Sequence, residues 1–300
     1  MAIAVKDFWQ NLREAISGFI RNKGFKLSAS LSFFTILTIG PMMLVMIFVA
    51  GLFWGRGAVE GAIIGQISDI VGDAAATRIQ ELIKNASVDS SSFKAVIGIA
   101  VLIFAATTIF TDMQGSMNIV WDLKLKPGRT FQQKLKNRFF SFLIVSGFGL
   151  LLLLLIITNS LLEGFKDQLL KMFPQIPLRL MYIVNLILTF FIVSFLFAFV
   201  FRVLPDAVIK WKDVRTGALV SAILFMTGSF GLSIYLKHSD IGSAYGSASS
   251  LLILLVWIFY SAIVLYLGAE YSKAYYLRNN AELLPKDFTE LKDNRRKLNS

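Results

Sequence analysis

The chain has no cysteine and a single histidine, His238, among its 300 residues. The lack of cysteine excludes disulfide bonds, thiolate nucleophiles and cysteine-bound metals, and one histidine excludes a histidine-rich metal site. We therefore expect no metal site and no bound cofactor. Charge is scarce as well, because only 16% of the residues are Asp, Glu, Lys or Arg, whereas a soluble globular domain carries about 25%.

The chain is instead rich in apolar residues. They make up 56% of the chain, which contains 27 Phe, and the mean hydropathy is +0.66. They form continuous runs and do not alternate with polar residues, which argues against a β-barrel. Since a run of about 20 apolar residues can cross the bilayer core as a helix, the sequence predicts an all-α, polytopic membrane protein.

We predict six transmembrane helices, over residues 27–54, 95–110, 139–162, 180–201, 217–236 and 248–269. The last run is followed directly by Glu270, a carboxylate at the membrane boundary that needs a partner because an unpaired charge in hydrocarbon is costly. Gly40 and Pro41 lie at the middle of the first run and predict a kink, which is either a hinge or a static bend. Gly228 and Gly231 predict close helix packing in the fifth run.

Three segments outside these runs also carry a pattern. Residues 1–26 predict an amphipathic cytoplasmic helix that lies on the inner leaflet or packs on the helix bundle, since one helical face gathers Phe8, Leu12, Ile16, Phe19 and Ile20. Apolar stripes within residues 57–86 predict two short interfacial helices. Residues 279–300 form a charged tail, which we expect to be mobile.

The distribution of basic residues predicts the orientation. Of the 30 Lys and Arg, 22 lie in the two termini and in the connecting segments that share their side of the membrane. The positive-inside rule then places both termini in the cytoplasm. This topology, together with anionic lipid in the inner leaflet, accounts for the net charge of +11 without any nucleic acid.

Several short motifs and single residues match the sequence pattern of a known family. They are Arg202-Val-Leu-Pro-Asp206, Trp211, Gly217, Tyr245-Gly246, Trp257 and Gly268-Ala269-Glu270, with Ala29, Ser30, Phe33, Phe34 and Gly40-Pro41 in the first run. Over residues 10–275 the chain is similar to the YihY/BrkB family of bacterial inner-membrane proteins, which once carried the name ribonuclease BN in error. The resemblance implies a six-helix protein of the bacterial inner membrane. Members have been linked to serum resistance, to the handling of envelope lipid and lipopolysaccharide, and to transport; no catalytic residues come with the resemblance.

Several polar side chains fall at the cytoplasmic ends of the predicted helices. As candidate substrate-binding residues we single out Lys26, Asp112, Asn118, Arg202, Asp206, Arg215 and Glu270. One interpretation is a polar cavity open to the cytoplasm, in which arginine binds a phosphate or another anion in a bidentate manner. The other is a set of ion pairs that fixes the helix ends. In either case we expect Glu270 to lie close to Arg202 or Arg215 at the cytoplasmic membrane boundary, within reach of a direct or water-mediated pair.

The predicted function is therefore the binding or transport of an amphipathic or anionic, lipid-related substrate, and we expect no enzyme activity. The alternatives are an envelope scaffold that transports nothing and a membrane enzyme. A nuclease would need carboxylates clustered around metal ions, and no spacing motif supports that arrangement. The expected partners are membrane lipids, above all the anionic head groups of the inner leaflet; the sequence also allows a homo-oligomer.

Overall fold

A computed structural model describes residues 2–38, 108–126, 178–238, 249–279, 283–286 and 289–292. Within these ranges there are six helices: α1 Ala2–Arg21, α2 Gly24–Thr38, α3 108–120, α4 Leu178–Val203, α5 Trp211–His238 and α6 Ser249–Asn279. Two short strands accompany them, β1 Leu123–Leu125 and β2 Thr289–Leu291. The predictions for Gly40 and Pro41, for the interfacial helices within 57–86 and for the helix 139–162 lie outside the described residues.

Three of the described helices, α4, α5 and α6, are long and apolar enough to cross a membrane. They overlap the fourth, fifth and sixth predicted transmembrane helices, and α2 is a shorter apolar helix at the start of the first one. The prediction of an all-α membrane protein is therefore confirmed.

Helix α5 lies between α4 and α6 and packs extensively on both. Its closest approach to α6 runs through small residues spaced four apart on each helix, Gly217 and Ser221 on α5 and Gly268 and Ser272 on α6. A Cβ on Gly217 would overlap the Ser272 hydroxyl and lie 2.8 Å from the Gly268 carbonyl oxygen, and a Cβ on Gly268 would overlap the Ser221 hydroxyl. Small residues at this spacing let two membrane helices bring their backbones together.

The two glycines that were expected to mark close packing in α5 differ. A Cβ on Gly228 would overlap the ring of Tyr260, so the prediction is right for Gly228. It is wrong for Gly231, where a Cβ would meet no atom within 4 Å. Gly231 instead lies on the wall of an open apolar groove between α5 and α6.

The N-terminal helix α1 packs along α6. The ring of Phe8 lies 5.8 Å from that of Tyr271, measured between centroids. The helix was predicted to extend to residue 26 but ends at Arg21, because Lys23 takes a left-handed backbone conformation with φ of 55°. The chain turns there and α2 begins at Gly24, whose backbone lies so close to Phe19 that a Cβ would overlap the ring. The structure shows contact with the bundle, and the expected position on the inner leaflet stays a prediction.

The structure describes two pieces of the C-terminal segment, residues 283–286 and 289–292, which we call the C-terminal strap. Strand β2 of the strap pairs antiparallel with β1, and the Lys286 N–H donates to the Asp206 carbonyl over 2.9 Å. The strap thus ties together the segments that follow α3 and α4. Backbone groups of these residues are hydrogen bonded to the rest of the chain, and the mobility expected of the tail stays a prediction.

Candidate functional site

The polar residues of the structure gather at one end of the bundle, which we call the polar end. There α2 begins, α3 and α4 end, α5 begins and the last turns of α6 lie, with the C-terminal strap across them. The expectation that these helix ends share one height therefore agrees with the contacts described below.

Lys273 of α6 is the central cation of the polar end. Its side chain is buried, and its ammonium group lies 2.8 Å from the Asp122 carboxylate and 3.6 Å from that of Glu270. It also donates to the Val120 carbonyl over 2.5 Å. Lys273 therefore joins α6 to the C-terminal end of α3 and neutralises charge on two carboxylates in the interior, where an unpaired charge would be strongly destabilising.

Glu270 lies one turn before Lys273 and is only 3% exposed. The Asn22 side-chain amide donates to its carboxylate over 2.6 Å, and the backbone of Gly18 passes so close that a Cβ there would overlap the carboxylate. The partners of Glu270 are thus Lys273 and the α1–α2 turn. The expected direct ion pair with Arg202 or Arg215 is not formed, because a cation on the same helix already lies against Glu270.

Asp206 forms a second polar group together with α3. Its carboxylate accepts hydrogen bonds from the Asn118 amide over 2.9 Å and from the Gln114 amide over 3.0 Å. The Asp206 N–H in turn donates to the Asn118 side-chain oxygen over 2.9 Å, so the two residues bond to each other twice. The Thr289 hydroxyl of the strap donates to the Asp206 carbonyl over 2.8 Å. Asp206 thus connects α3, the end of α4 and the strap.

Asp112 is half-buried on α3, opposite α2. One of its carboxylate oxygens accepts a hydrogen bond of 3.1 Å from Ser30. Burial raises the pKa of Asp112 above its ordinary value, and the hydrogen bond from Ser30 opposes that rise. Asp112 is therefore separate from both groups above and faces the start of the first transmembrane helix.

The three candidate cations are arranged differently from Lys273. The Arg202 guanidinium lies over the Trp211 ring, 4.4 Å from its centroid, at the junction of α4 and α5. Arg215, on the first turn of α5, and Lys26, on the first turn of α2, are exposed. The salt bridges found between described residues use Lys273 and Arg278 as their cations, not these three.

Among the described residues, no group of three or more His, Asp and Glu side chains is placed to hold a metal ion. The carboxylates of the polar end are instead bonded to a lysine, to amides and to a hydroxyl. This part of the polar end can hold helices together, and its exposed cations can attract an anion.

Comparison with known proteins identifies the family. A family model described as virulence factor BrkB matches residues 15–289, nearly the whole chain. The chain belongs to this family. The match begins within α1 and ends at Thr289 in the C-terminal strap, so it includes Glu270, Lys273 and Asp206 but not strap residues 290–292.

The relatives of this BrkB-family protein are named only as membrane proteins. A UPF0761 membrane protein of Haemophilus influenzae (strain 86-028NP) is 26% identical over 271 residues, which are 88% of this chain and 91% of the relative. Another from Vibrio vulnificus (strain YJ016) is 24% identical, over 81% of this chain and 75% of the relative. A third, from Tolumonas auensis, is 32% identical over 73 residues, which are 24% of each chain. No solved structure matches the chain.

Sequence reasoning missed four contributors to the polar end of this BrkB-family protein: Asn22, Asp122, Lys273 and the strap residue Thr289. The sequence could have indicated Lys273, because it lies three residues after Glu270 and the two are therefore neighbours on one face of a helix. The other three lie in turns or in the strap and approach Glu270, Lys273 or Asp206 only through the tertiary fold, so no spacing could have indicated them.

Proposed function

We propose that this BrkB-family protein binds an anionic amphiphile, with the chemistry of a phospholipid, at its polar end and transports it across the membrane, from one leaflet to the other. The observation that carries the proposal is an imbalance between carboxylates and cations. Glu270, Asp122 and Asp206 have partners within the chain, whereas Arg202, Arg215 and Lys26 form no salt bridge with another described residue. An incoming anion would meet cations that no acidic side chain in the described part of the chain neutralises.

Arg202 is the best-placed cation for such a ligand. It is half-buried at the end of α4, and the Trp211 ring covers one face of its guanidinium. Stacking on an aromatic face leaves the N–H groups at the edge of the guanidinium available, and that edge matches the two oxygens of a phosphate. Arg202 is thus held in place for a head group, and Arg215 and Lys26 add attraction at longer range.

The distribution of Lys and Arg supports a polar end that faces the cytoplasm, with the protein in the bacterial inner membrane. In that orientation the exposed cations lie at the height of the inner-leaflet head groups, which carry negative charge. A phospholipid could then reach Arg202 from the side with its acyl chains still among the apolar surfaces of α4 and α5.

An envelope scaffold is the second candidate, and a specific observation favours it. The Lys273 and Asp206 groups are filled by side chains and backbone of the chain itself, and the strap fastens them from outside. Such bonding fixes the ends of α3, α4 and α6, as a static structural protein requires. A scaffold would not need the exposed cations to bind a lipid.

The experiment is native mass spectrometry of the purified protein with phosphatidylglycerol, cardiolipin or phosphatidylcholine. We expect the wild type to retain the two anionic lipids, and Arg202→Ala and Arg215→Ala to lose several-fold in their retention without unfolding. For transport, the protein in vesicles should move a fluorescent phosphatidylglycerol between leaflets, and Arg202→Ala should slow that movement.

Arg278→Ala is the matched control, because Arg278 is a cation of the same end that already pairs with Glu14 over 3.3 Å and with Asp7 over 3.5 Å. It should leave lipid retention unchanged. Retention of anionic lipid at the wild-type level by folded Arg202→Ala and Arg215→Ala would reject the binding site and favour the scaffold.

A further inference from the structure

Helix α1 presents two different faces. The face that packs on α6 is made of buried residues, namely Asn11, Ala15, Gly18 and Phe19. A second face carries Trp9, Ile16 and Ile20, which are 62%, 46% and 65% exposed. Because these residues are spaced seven and four apart, they form one stripe along the helix. We call this stripe the apolar stripe of α1.

The apolar stripe is not the face that the sequence indicated. Phe19 was grouped with Ile16 and Ile20 but is buried, and Phe8 packs against Tyr271. Trp9, which the sequence pattern left out, takes part in the stripe. Docking of α1 on α6 therefore uses one set of apolar residues and leaves another set exposed.

Basic residues flank the stripe. Arg13 lies between Trp9 and Ile16 along one edge, Lys6 precedes Trp9 by three residues on the same edge, and both are exposed. The acidic residues of α1, Asp7 and Glu14, lie on the other side of the helix, where Arg278 binds them. An exposed apolar stripe with basic flanks and with its acidic groups already neutralised has the charge pattern of a helix that lies on an anionic membrane surface.

The short connection to α2 indicates where α1 lies relative to the membrane surface. Two residues, Asn22 and Lys23, separate the helices. The Asn22 side chain donates to Glu270, which directly follows the sixth predicted transmembrane helix, 248–269. The C-terminal end of α1 is therefore at the height where α2 and α6 meet the membrane surface. We propose that α1 is an interfacial helix whose apolar stripe, formed by Trp9, Ile16 and Ile20, is inserted among the anionic lipids of the inner leaflet. This surface is separate from the cations of the proposed ligand site.

A second copy of the chain is the competing occupant. An apolar stripe in a dimer interface would have no need of basic flanks, since like charges from the two copies would face each other across it. The charge on Lys6 and Arg13 therefore favours the lipid surface over a second α1.

The test uses the absence of cysteine from the native chain. Trp9→Cys, Ile16→Cys and Ile20→Cys are prepared separately, as are Gln10→Cys and Ser17→Cys, which are exposed positions of the same helix away from the stripe. Each is labelled with a nitroxide in vesicles of phosphatidylglycerol and phosphatidylcholine. We expect the ratio of collisions with oxygen to collisions with a water-soluble nickel chelate to be several-fold higher at the three stripe positions than at the two controls.

The possible results distinguish whether lipid, water or a second copy of the chain covers the apolar stripe. A similar, low ratio at all five positions would mean that water covers the stripe and would overturn the proposal. Protection of Trp9→Cys from both oxygen and nickel, with dipolar broadening between labels, would identify a second copy as the occupant and would also overturn it. In vesicles of phosphatidylcholine alone, Lys6→Gln with Arg13→Gln should change the ratios little, whereas with phosphatidylglycerol the same pair should lower them at the stripe.

Discussion

The two ends of α5 and α6 meet in different ways. At the polar end the helices touch backbone to backbone at Gly217 and Gly268, and buried charges bind their neighbours. Toward the other end the same helices separate around an apolar groove of about 390 Å³, lined by Gly231, Tyr235 and Tyr260 among others. Direct polar contact between α5 and α6 is present there as well, since the Tyr260 hydroxyl donates to the Leu224 carbonyl over 2.5 Å.

This contrast indicates which end of the bundle stabilises the fold. Apolar helix surface gains little from packing against another apolar helix within a lipid bilayer, because lipid tails are equally apolar. Close backbone contact and satisfied polar groups are the remaining sources of stability, and both concentrate at the polar end. The opposite half of α4–α6 can therefore expose large apolar residues, for example Ile183, Phe191 and Phe230.

We expect the largest loss of stability when Lys273, the central cation of the polar end, is removed. Lys273→Met leaves the Glu270 and Asp122 carboxylates without their cation, and the loss of one partner of a buried pair costs about 3–5 kcal/mol. We expect a large fall in thermal stability, measured by circular dichroism in detergent micelles. Adding Glu270→Gln to Lys273→Met should recover part of the loss, because one unpaired charge is then removed. Equal stability of Lys273→Met and the wild type would show that the polar end does not hold the fold.

The next largest effect is expected where the helices touch. Gly217→Ala places a Cβ against the Gly268 carbonyl, and since backbone cannot rotate away, the helices must separate; overpacking of this kind costs about 1–3 kcal/mol. Gly231→Ala is the matched control on the same helix, with no atom within 4 Å of the added Cβ, and should lose no stability. Equal losses in the two variants, in the same thermal unfolding measurement, would contradict the contrast between the ends.

A smaller effect is expected from the strap. Thr289→Val removes the hydroxyl that donates to the Asp206 carbonyl while keeping the shape of the side chain, and a lost hydrogen bond of this kind costs about 1 kcal/mol. We expect faster cleavage by trypsin at Lys286 and Lys292, because the strap is released more often. Glu290→Gln, an exposed change on the same strand, serves as the control. Unchanged cleavage in Thr289→Val would mean that this hydroxyl does not fasten the strap.

We expect the smallest loss of stability from a substitution beside the apolar groove. Tyr260→Phe removes the hydrogen bond to the Leu224 carbonyl, and interhelical hydrogen bonds in membrane proteins contribute on average about 0.6 kcal/mol. We expect a shift in thermal unfolding well below that of Gly217→Ala. A larger shift than that of Gly217→Ala would reverse the order of the two ends and place the main helix contact beside the groove.

Much of the fold could be predicted because it depends on local properties of the chain. Apolar runs long enough for a bilayer indicated α4, α5 and α6, and the small residue Gly228 indicated a close contact with another helix. Gly231 shows the limit of that argument. A glycine permits close approach but does not cause it, and whether a neighbour is there depends on how two helices diverge.

The candidate site was predicted only in part. Among the predicted residues, Asn118 and Asp206 bond to each other, whereas Asp112 bonds to Ser30 on α2. Their partners could not be assigned, because depth alone does not say which helices are neighbours. Glu270 and Arg202 share a depth, yet the carboxylate binds Lys273 and the guanidinium stacks on Trp211. Strand pairing between residues 123–125 and 289–291 was beyond prediction, since more than 160 residues separate strands of three residues each.

The position of the strap along the chain also sets an order of assembly. It follows all six described helices, so each of them is synthesised before β2. Until then the Asp206 carbonyl lacks its bonds to Thr289 and Lys286, and β1 has no partner strand. The polar end therefore gains its bonds to Thr289 and Lys286, and β1 its partner strand, only after the last of the six helices has been synthesised.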